Sequence, residues 1–435
     1  MKSHGHLLRV LGVGFGLAVI IGNTIGAGIF NAPGTIAGQL PAPVPFLLVW
    51  LGGGLYALLG AISLAELGTM IPRSGGQYVF ARYALGEYAG FVVGWSDWIS
   101  SCGSTAAVSL LIGTFSGALI PALEGKAAAV AAAVAIFFAL LQWRGIVWGS
   151  NTQNLTSLLK ALAFLALILA GFIFGGKGAL THASAGTTAA ITLSAIIVSL
   201  QSTIYTYDGW AGVIYFSEEV KHSNRDIPRS LFGGVALITT IYLLVNVSLL
   251  YVLPMSRIAG KEFAAGEAAN VIFGAHGDTI FRCLTIASML SAINALHLMA
   301  TRVVFAMSRD GLFASKAAEV NEGGTPTVSL FLSTAVALVF ILFGQRFERV
   351  ITVLAFFFVA NYILSFISLF VLRRREPEKP RPYRAWGYPF TTALALLGSV
   401  AFLAGAIVTD KTNSLYALLG LAVSYPVFLL MKKVS

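Results

Sequence analysis

The chain has 435 residues, 57% of them hydrophobic and 11% charged. Soluble domains carry about a quarter charged residues, so a long chain this apolar reads as an integral membrane protein set in a lipid bilayer. A formal charge of +10 would point to nucleic acid in a soluble protein. Here the basic residues fall in short loops between apolar runs, which leaves no basic domain for that partner.

Runs of about 20 apolar residues give twelve candidate spans, roughly at 8–38, 45–70, 87–119, 127–144, 152–175, 188–219, 230–254, 278–300, 327–344, 348–372, 387–408 and 413–431. The expected class is all-α. Spans one and six are too long and too interrupted for plain helices. No separate signal or transit segment is legible ahead of span one, whose glycine-rich core is a poor cleavage region. With the N-terminus placed in the cytoplasm, nineteen Lys and Arg fall in cytoplasmic segments, eight on the opposite side, and Lys160 inside the membrane. That bias, with the compact loops, predicts a multi-pass inner-membrane protein with both termini cytoplasmic.

Span one contains VIIGNTIGAGIFNAPG (19–34). Two readings fit its glycines. Gly22 and Gly26, four residues apart, suit a small-residue packing face. They also suit a helix that unwinds mid-membrane, which survives only where it is buried in protein or lines a cavity. In span two, Glu66 either faces headgroups or pairs with an arginine. Span three carries Trp95, Asp97, Trp98 and Cys102, with the tryptophans read as packing residues. In span five Lys160 lies about 12 Å deep if the helix starts near Thr152. A lysine there either snorkels outward or marks function.

Span six reads SAIIVSLQSTIYTYDGWAGVIYFSEEV (194–220), with polar residues and glycine in its middle at TYDGWAG (206–212). Paired interruptions in corresponding positions point to a transporter's binding site. They predict two inverted five-helix repeats, about 8–175 and 188–372, forming a transport core over 1–372. A cytoplasmic basic loop and two further helices occupy 373–435. Glu218, Glu219, Arg225, Asp226 and Arg229 read either as an inner-surface charge network or as a solvated loop. In span eight, Cys283 with Cys102 reads as a buried thiol, His297 as a packed histidine and Phe305 as packing. The loop 373–389 reads as a basic connection that fixes topology.

The chemistry of the two breaks follows from peptide groups. The first half of span one is expected to end near Gly22 to Thr24 with free carbonyls. The second half is expected to start near Gly26, with free N–H groups at Ala27, Gly28 and Ile29. Such N–H groups attract a carboxylate, while the carbonyls, with those near Tyr205 to Asp208, attract an ammonium. Each helix-end term is worth about 0.3–1 kcal/mol when exposed and up to about 2 when partly buried. An α-amino acid carries both groups on one carbon. Asp208 either caps a second half-helix or pairs with a cationic substrate side chain. An enzyme is disfavoured, since no metal-ligand cluster or nucleophile–base pair is legible and no cofactor is expected. A channel is disfavoured because no filter motif is legible.

GNTIGAGIF resembles the first-helix signature of the amino acid–polyamine–organocation superfamily. SLAELGTMIPRSGGQYVFARYALG (63–86) and YTYDGWAGVIYFSEEVKHSNRDIPRSL (205–231) resemble its L-type amino acid transporter branch. The resemblance covers about residues 8–430. It implies the five-plus-five inverted-repeat fold of the leucine-transporter type, with discontinuous helices one and six. It also implies amino acid transport by alternating access. Ala27 and Gly28 match amides that hold the substrate carboxylate, although many relatives carry serine at the Ala27 position. Thr24 and Asp208 match carbonyls that hold the amino group, and Tyr205 matches a gating aromatic. Ala211 departs from an asparagine common in the branch, which leaves side-chain selectivity open. Substrate contacts are thus expected at Thr24, Gly26, Ala27, Gly28, Ile29, Tyr205, Asp208 and Gly209. Side-chain selectivity is expected from pocket volume among spans one, three, six, eight and ten.

Lys160 matches a fifth-helix lysine of sodium-independent members, where the ammonium occupies the second sodium site. It would tether span five to broken span one, with proton exchange as a further reading. The branch favours sodium-independent exchange of neutral L-amino acids. Proton-coupled symport, or carriage of cationic amino acids or polyamines, are the alternatives. The loop IPALEGK (120–126) lacks the cysteine that joins related exchangers to a glycoprotein, so no disulfide-linked heavy subunit is expected.

Overall fold

The first apolar run forms two helices, α1 (Val13–Thr24) and α2 (Gly28–Gln39), bent by 49° from one another. The computed structural model describes residues 6–26, 28–176, 191–343 and 347–434, without side chains at 347–352 and 434. Ala27 of the expected site therefore lies outside the described residues, as do Lys2, Lys177 and Arg346 of the charge count. The chain continues through α3 (Pro43–Met70), α4 (Gln77–Leu85), α5 (Glu87–Leu119), α6 (Ala127–Trp143) and α7 (Ile146–Phe174). After Thr192 come α8 (Leu193–Tyr207), α9 (Ser223–Val252), α10 (Ala264–Phe273) and α11 (Gly277–Arg309). The last four are α12 (Thr327–Phe343), α13 (Phe347–Arg375), α14 (Phe390–Thr409) and α15 (Lys411–Val434).

Among the described residues, eight helices are long and apolar enough to cross a membrane, and the bent α1–α2 pair makes a ninth. Helices α6 and α12 are apolar but have 17 residues each, and α8 has 15. Extended pairing is confined, among the described residues, to two isolated bridges, Leu11 with Val220 and Val320 with Pro326. The protein is all-helical and multi-pass, because a bilayer offers a backbone no partner except its own helix. Two expected boundaries shift. The helix carrying Lys160 starts at Ile146, not near Thr152, which puts Lys160 about 21 Å along it, near its middle. The second half of span six is not an α-helix. After Tyr207 the chain turns and forms a 3₁₀ segment, Gly212–Phe216.

Helix α1 packs between α7, α9 and α11, while α8 lies on α2 and α3. Small residues make these approaches possible. A Cβ on Gly60 would come within 2.6 Å of the Trp210 indole, and one on Gly54 within 2.5 Å of Thr239 Oγ1. Gly22 of α1 is a packing glycine, where a side chain would run into Gln153 of α7. Gly26 instead meets nothing and sits in the break. The two readings of the glycine pair thus divide between its members. Cys102 is buried as expected, whereas Cys283 is exposed on the outer surface of α11, so only one of the two is a buried thiol.

The basic face is held by charge pairs, one of them fully buried. Glu219 binds Arg302 through both carboxylate oxygens at 2.9 and 3.0 Å, and both side chains are fully buried. Arg309 reaches Glu218 at 2.7 Å, and Arg73 reaches Asp310 at 2.8 Å. The strand-like pairing of Leu11 with Glu219 and Lys221 ties the N-terminal segment to the same cluster. The network reading therefore holds for Glu218 and Glu219. Arg229 is exposed, and Arg225 pairs only with neighbouring Asp226 among the described residues. Glu66 does not face headgroups. It is buried in α3 and takes Arg373 at 2.6 Å, Arg381 at 3.0 Å and the Ala385 amide at 2.7 Å. Arg381 also donates to the carbonyls of Leu372, Glu376, Pro377 and Lys379, so the basic loop is a folded knot around Glu66.

Removing one partner of a buried charge pair strands the other, at about 3–5 kcal/mol. Glu66→Ala is expected to destabilise the purified protein by that amount, read as a lower thermal midpoint in detergent. An unchanged midpoint would show that Glu66 holds nothing.

Candidate amino acid site

Helix α1 stops at Thr24 because the next residues, Ile25 and Gly26, leave helical geometry. Helix α8 stops at Tyr207, where Asp208 turns out and Gly209 adopts φ +107°, a conformation costly for any side chain. A Cβ on Gly209 would also lie 2.8–2.9 Å from Asn23 and Thr24, so glycine lets the two breaks touch. Helix α2 begins at Gly28, whose Cα faces Thr206 closely enough that a Cβ would sit 3.0–3.1 Å from it. Two helix C-termini and one helix N-terminus therefore converge.

Each terminus leaves backbone groups without helical partners. Several of the orphaned carbonyls are met by side chains. Lys160, fully buried, donates its Nζ to Gly22 O at 2.8 Å and to Ile25 O at 2.5 Å. Ser288 of α11 adds a donor to Ile25 O at 3.3 Å. Gln153 and Ser157, two turns and one turn before Lys160, both donate to Ala18 O. Tyr242 of α9 places its hydroxyl 2.8 Å from Thr24 O and 2.9 Å from Thr206 O, so a single proton is shared between the two broken helices.

The cavity at this junction has a volume of about 90 Å³. Its wall comes from Thr24 and Gly26 at the first break, Ser104 on α5, Thr206 at the end of α8, Leu296 on α11 and Phe358 on α13. These are the five spans from which selectivity is expected. Of the expected contacts, Gly28, Tyr205 and Asp208 also line it. Gly209 lines a smaller adjoining cavity of about 20 Å³. Ile29 does not line the cavity; its side chain is buried in the core. The capping reading of Asp208 fails, because no α-helix follows it and the 3₁₀ segment has no side-chain cap. Its carboxylate instead accepts from Tyr362 Oη at 2.7 Å. His297 is packed, with Nδ1 at 3.3 Å from Ile293 O, and Trp98 donates to Ser333.

Sequence reasoning missed Tyr242, Ser288, Tyr362 and Phe358. Each sits in an apolar run with no glycine or charge beside it to mark its face. Chemically, the junction presents carbonyl oxygens from one side and first-turn amides of α2 from the other, which suits a small zwitterion.

A polytopic helical protein with a mid-membrane pocket of bare peptide groups is the architecture of a small-solute carrier. The profile of the amino acid permease family matches residues 16–428, and the chain belongs to that family, a transporter and not an enzyme. The serine/threonine exchanger SteT of Bacillus subtilis (strain 168) is 30% identical over 436 residues, covering 98% of both proteins. The human b(0,+)-type amino acid transporter 1 is 27% identical, over 86% of this chain and 78% of that protein. The human large neutral amino acids transporter small subunit 2 is 25% identical, over 87% of this chain and 72% of its own length.

Leaving a buried carbonyl short of its donor costs about 1–3 kcal/mol. Tyr242→Phe keeps the ring and removes the shared proton, so its thermal midpoint in detergent is expected to drop by the corresponding amount. A midpoint equal to that of the wild type would mean that the hydroxyl is not what joins the breaks.

Proposed function

We propose that the protein exchanges small neutral L-amino acids without sodium, by alternating access across an inner membrane. The observation that carries this reading is the convergence of Thr24 O, Thr206 O and the start of α2 on one cavity. The substrate carboxylate is held by amides of Gly26, Ala27, Gly28 and Ile29. The ammonium rests on the carbonyls of Thr24 and Asp208, with Tyr205 closing over it and Gly209 allowing the close approach. At roughly 10–15 Å³ per water-sized centre, the cavity takes a handful of non-hydrogen atoms. That supports a serine-sized substrate, in keeping with the serine/threonine exchanger of Bacillus subtilis.

Lys160 acts in this reading as a fixed substitute for a sodium ion, bridging α7 to the broken first span. Twelve spans in two inverted five-helix repeats plus α14 and α15, with both termini cytoplasmic, complete the proposal. The loop 120–126 has no cysteine, so no disulfide-linked subunit is invoked. A second reading, carriage of a basic amino acid, is favoured by the Asp208 carboxylate on the cavity wall. Proton symport is the other alternative.

Proteoliposomes separate these readings when internal amino acid, external sodium and pH are varied independently. Labelled serine is expected to enter only vesicles preloaded with amino acid, with no response to sodium. Lys160→Ala is expected to lose at least about 90% of this counterflow, because a buried ammonium bonded to two carbonyls cannot be replaced by solvent. Sodium-driven accumulation would defeat the reading of Lys160, and uptake into empty vesicles driven by a proton gradient would favour symport.

A further inference from the structure

The smaller cavity adjoins the amino acid site and shares Asn23, Asp208, Leu296 and Phe358 with it. Its wall holds two carboxylates, Asp97 and Asp208, and no Lys, Arg or His lines either cavity. Asp97 is buried in the first third of α5, and both of its oxygens accept from the same hydroxyl, Tyr215 Oη, at 2.9 and 2.8 Å. One phenolic hydrogen cannot satisfy a full carboxylate, whose two oxygens offer about four lone pairs. The Thr24 hydroxyl is likewise buried and without a partner, 2.9 Å from where a Cβ on Gly209 would stand, at the wall where the cavities meet. The place therefore has surplus acceptors and no cation.

We propose that Asp97 is a proton-binding site beside the amino acid site, loaded and emptied as the transporter cycles. A proton from water forms an O–H bond on one Asp97 oxygen. Tyr215 Oη goes on donating to the other Asp97 oxygen, and the Gln77 side chain donates to Tyr215. Gln77 in turn accepts from Ser365 of α13. The groups facing Asp97 are few. Tyr215 and Asp208 come from the second break, Gln77 from α4 and Tyr362 from α13, while α11 presents Leu296 and Met299. The nearby charges on those helices are engaged elsewhere, Arg302 with Glu219 and Arg82 with Asp310. On α15, Lys432 pairs with Glu87, and α6 and α12 carry no titratable residue.

The proposal rests on the transport reading, so its test uses a signal that needs no substrate. Infrared difference spectra of the protein in lipid vesicles, taken during acid titration, report the C=O stretch of a protonated carboxyl, and the high-frequency component of a carboxyl shielded from water, the band followed in this test, separates Asp97 from the solvent-exposed Asp and Glu. A band that titrates reversibly is expected in the wild type and in Asp208→Asn, and its loss is expected in Asp97→Asn. Serine counterflow by Asp97→Asn is expected to lose its dependence on pH. A wild type with no titrating band, a band that persists in Asp97→Asn, or a counterflow profile shared by wild type and Asp97→Asn overturns the assignment. A titrating band without counterflow would strike the exchange reading alone.

Discussion

The structure depends on one constraint. A helix that stops inside hydrocarbon exposes carbonyls and amides, and each must find a partner. Two helices stop here, and the protein answers with side chains from their neighbours. Lys160 and Ser288 take the carbonyls of Gly22 and Ile25, and Tyr242 spans Thr24 and Thr206. What these donors leave uncovered faces the cavity, where the first-turn amides of α2 also end. In the proposed exchange, stability and binding draw on the same peptide groups.

The buried charges elsewhere follow a different logic. A buried ion pair gives little net stability, because desolvation offsets most of the attraction, yet breaking one is costly. Glu219 with Arg302 and Glu66 with Arg373 and Arg381 therefore act as fixed fasteners of loops that would otherwise slide at the membrane edge. The first joins the end of the second break to α11, and the second joins α3 to the segment entering α14. Neither group lines the cavity, so they set where helices sit rather than what is bound.

Much of this was legible in the sequence because breaks and charges are conspicuous against an apolar background. Glycine and polar residues at 22–28 and 206–212 marked both interruptions, and a lone lysine in span five marked its own importance. The start of α7 was misjudged because Ile146 to Ser150 is a short run beside Arg144, and loop and helix look alike there. The missing half-helix after Asp208 was illegible because an apolar stretch such as Gly212–Phe216 fits a 3₁₀ turn as well as an α-helix. Tyr242 and Tyr362 were invisible for a simpler reason. In a helix apolar on every side, periodicity carries no information about which face meets the break.

The position of Lys160 has one more consequence. A cation carried on a side chain has a local concentration fixed by its tether, whatever the surrounding solution contains. A dissolved ion at the same carbonyls would come and go with its supply on each side of the bilayer. The tethered one cannot diffuse away, so in the proposed exchange a sodium gradient has nothing to act on at that position.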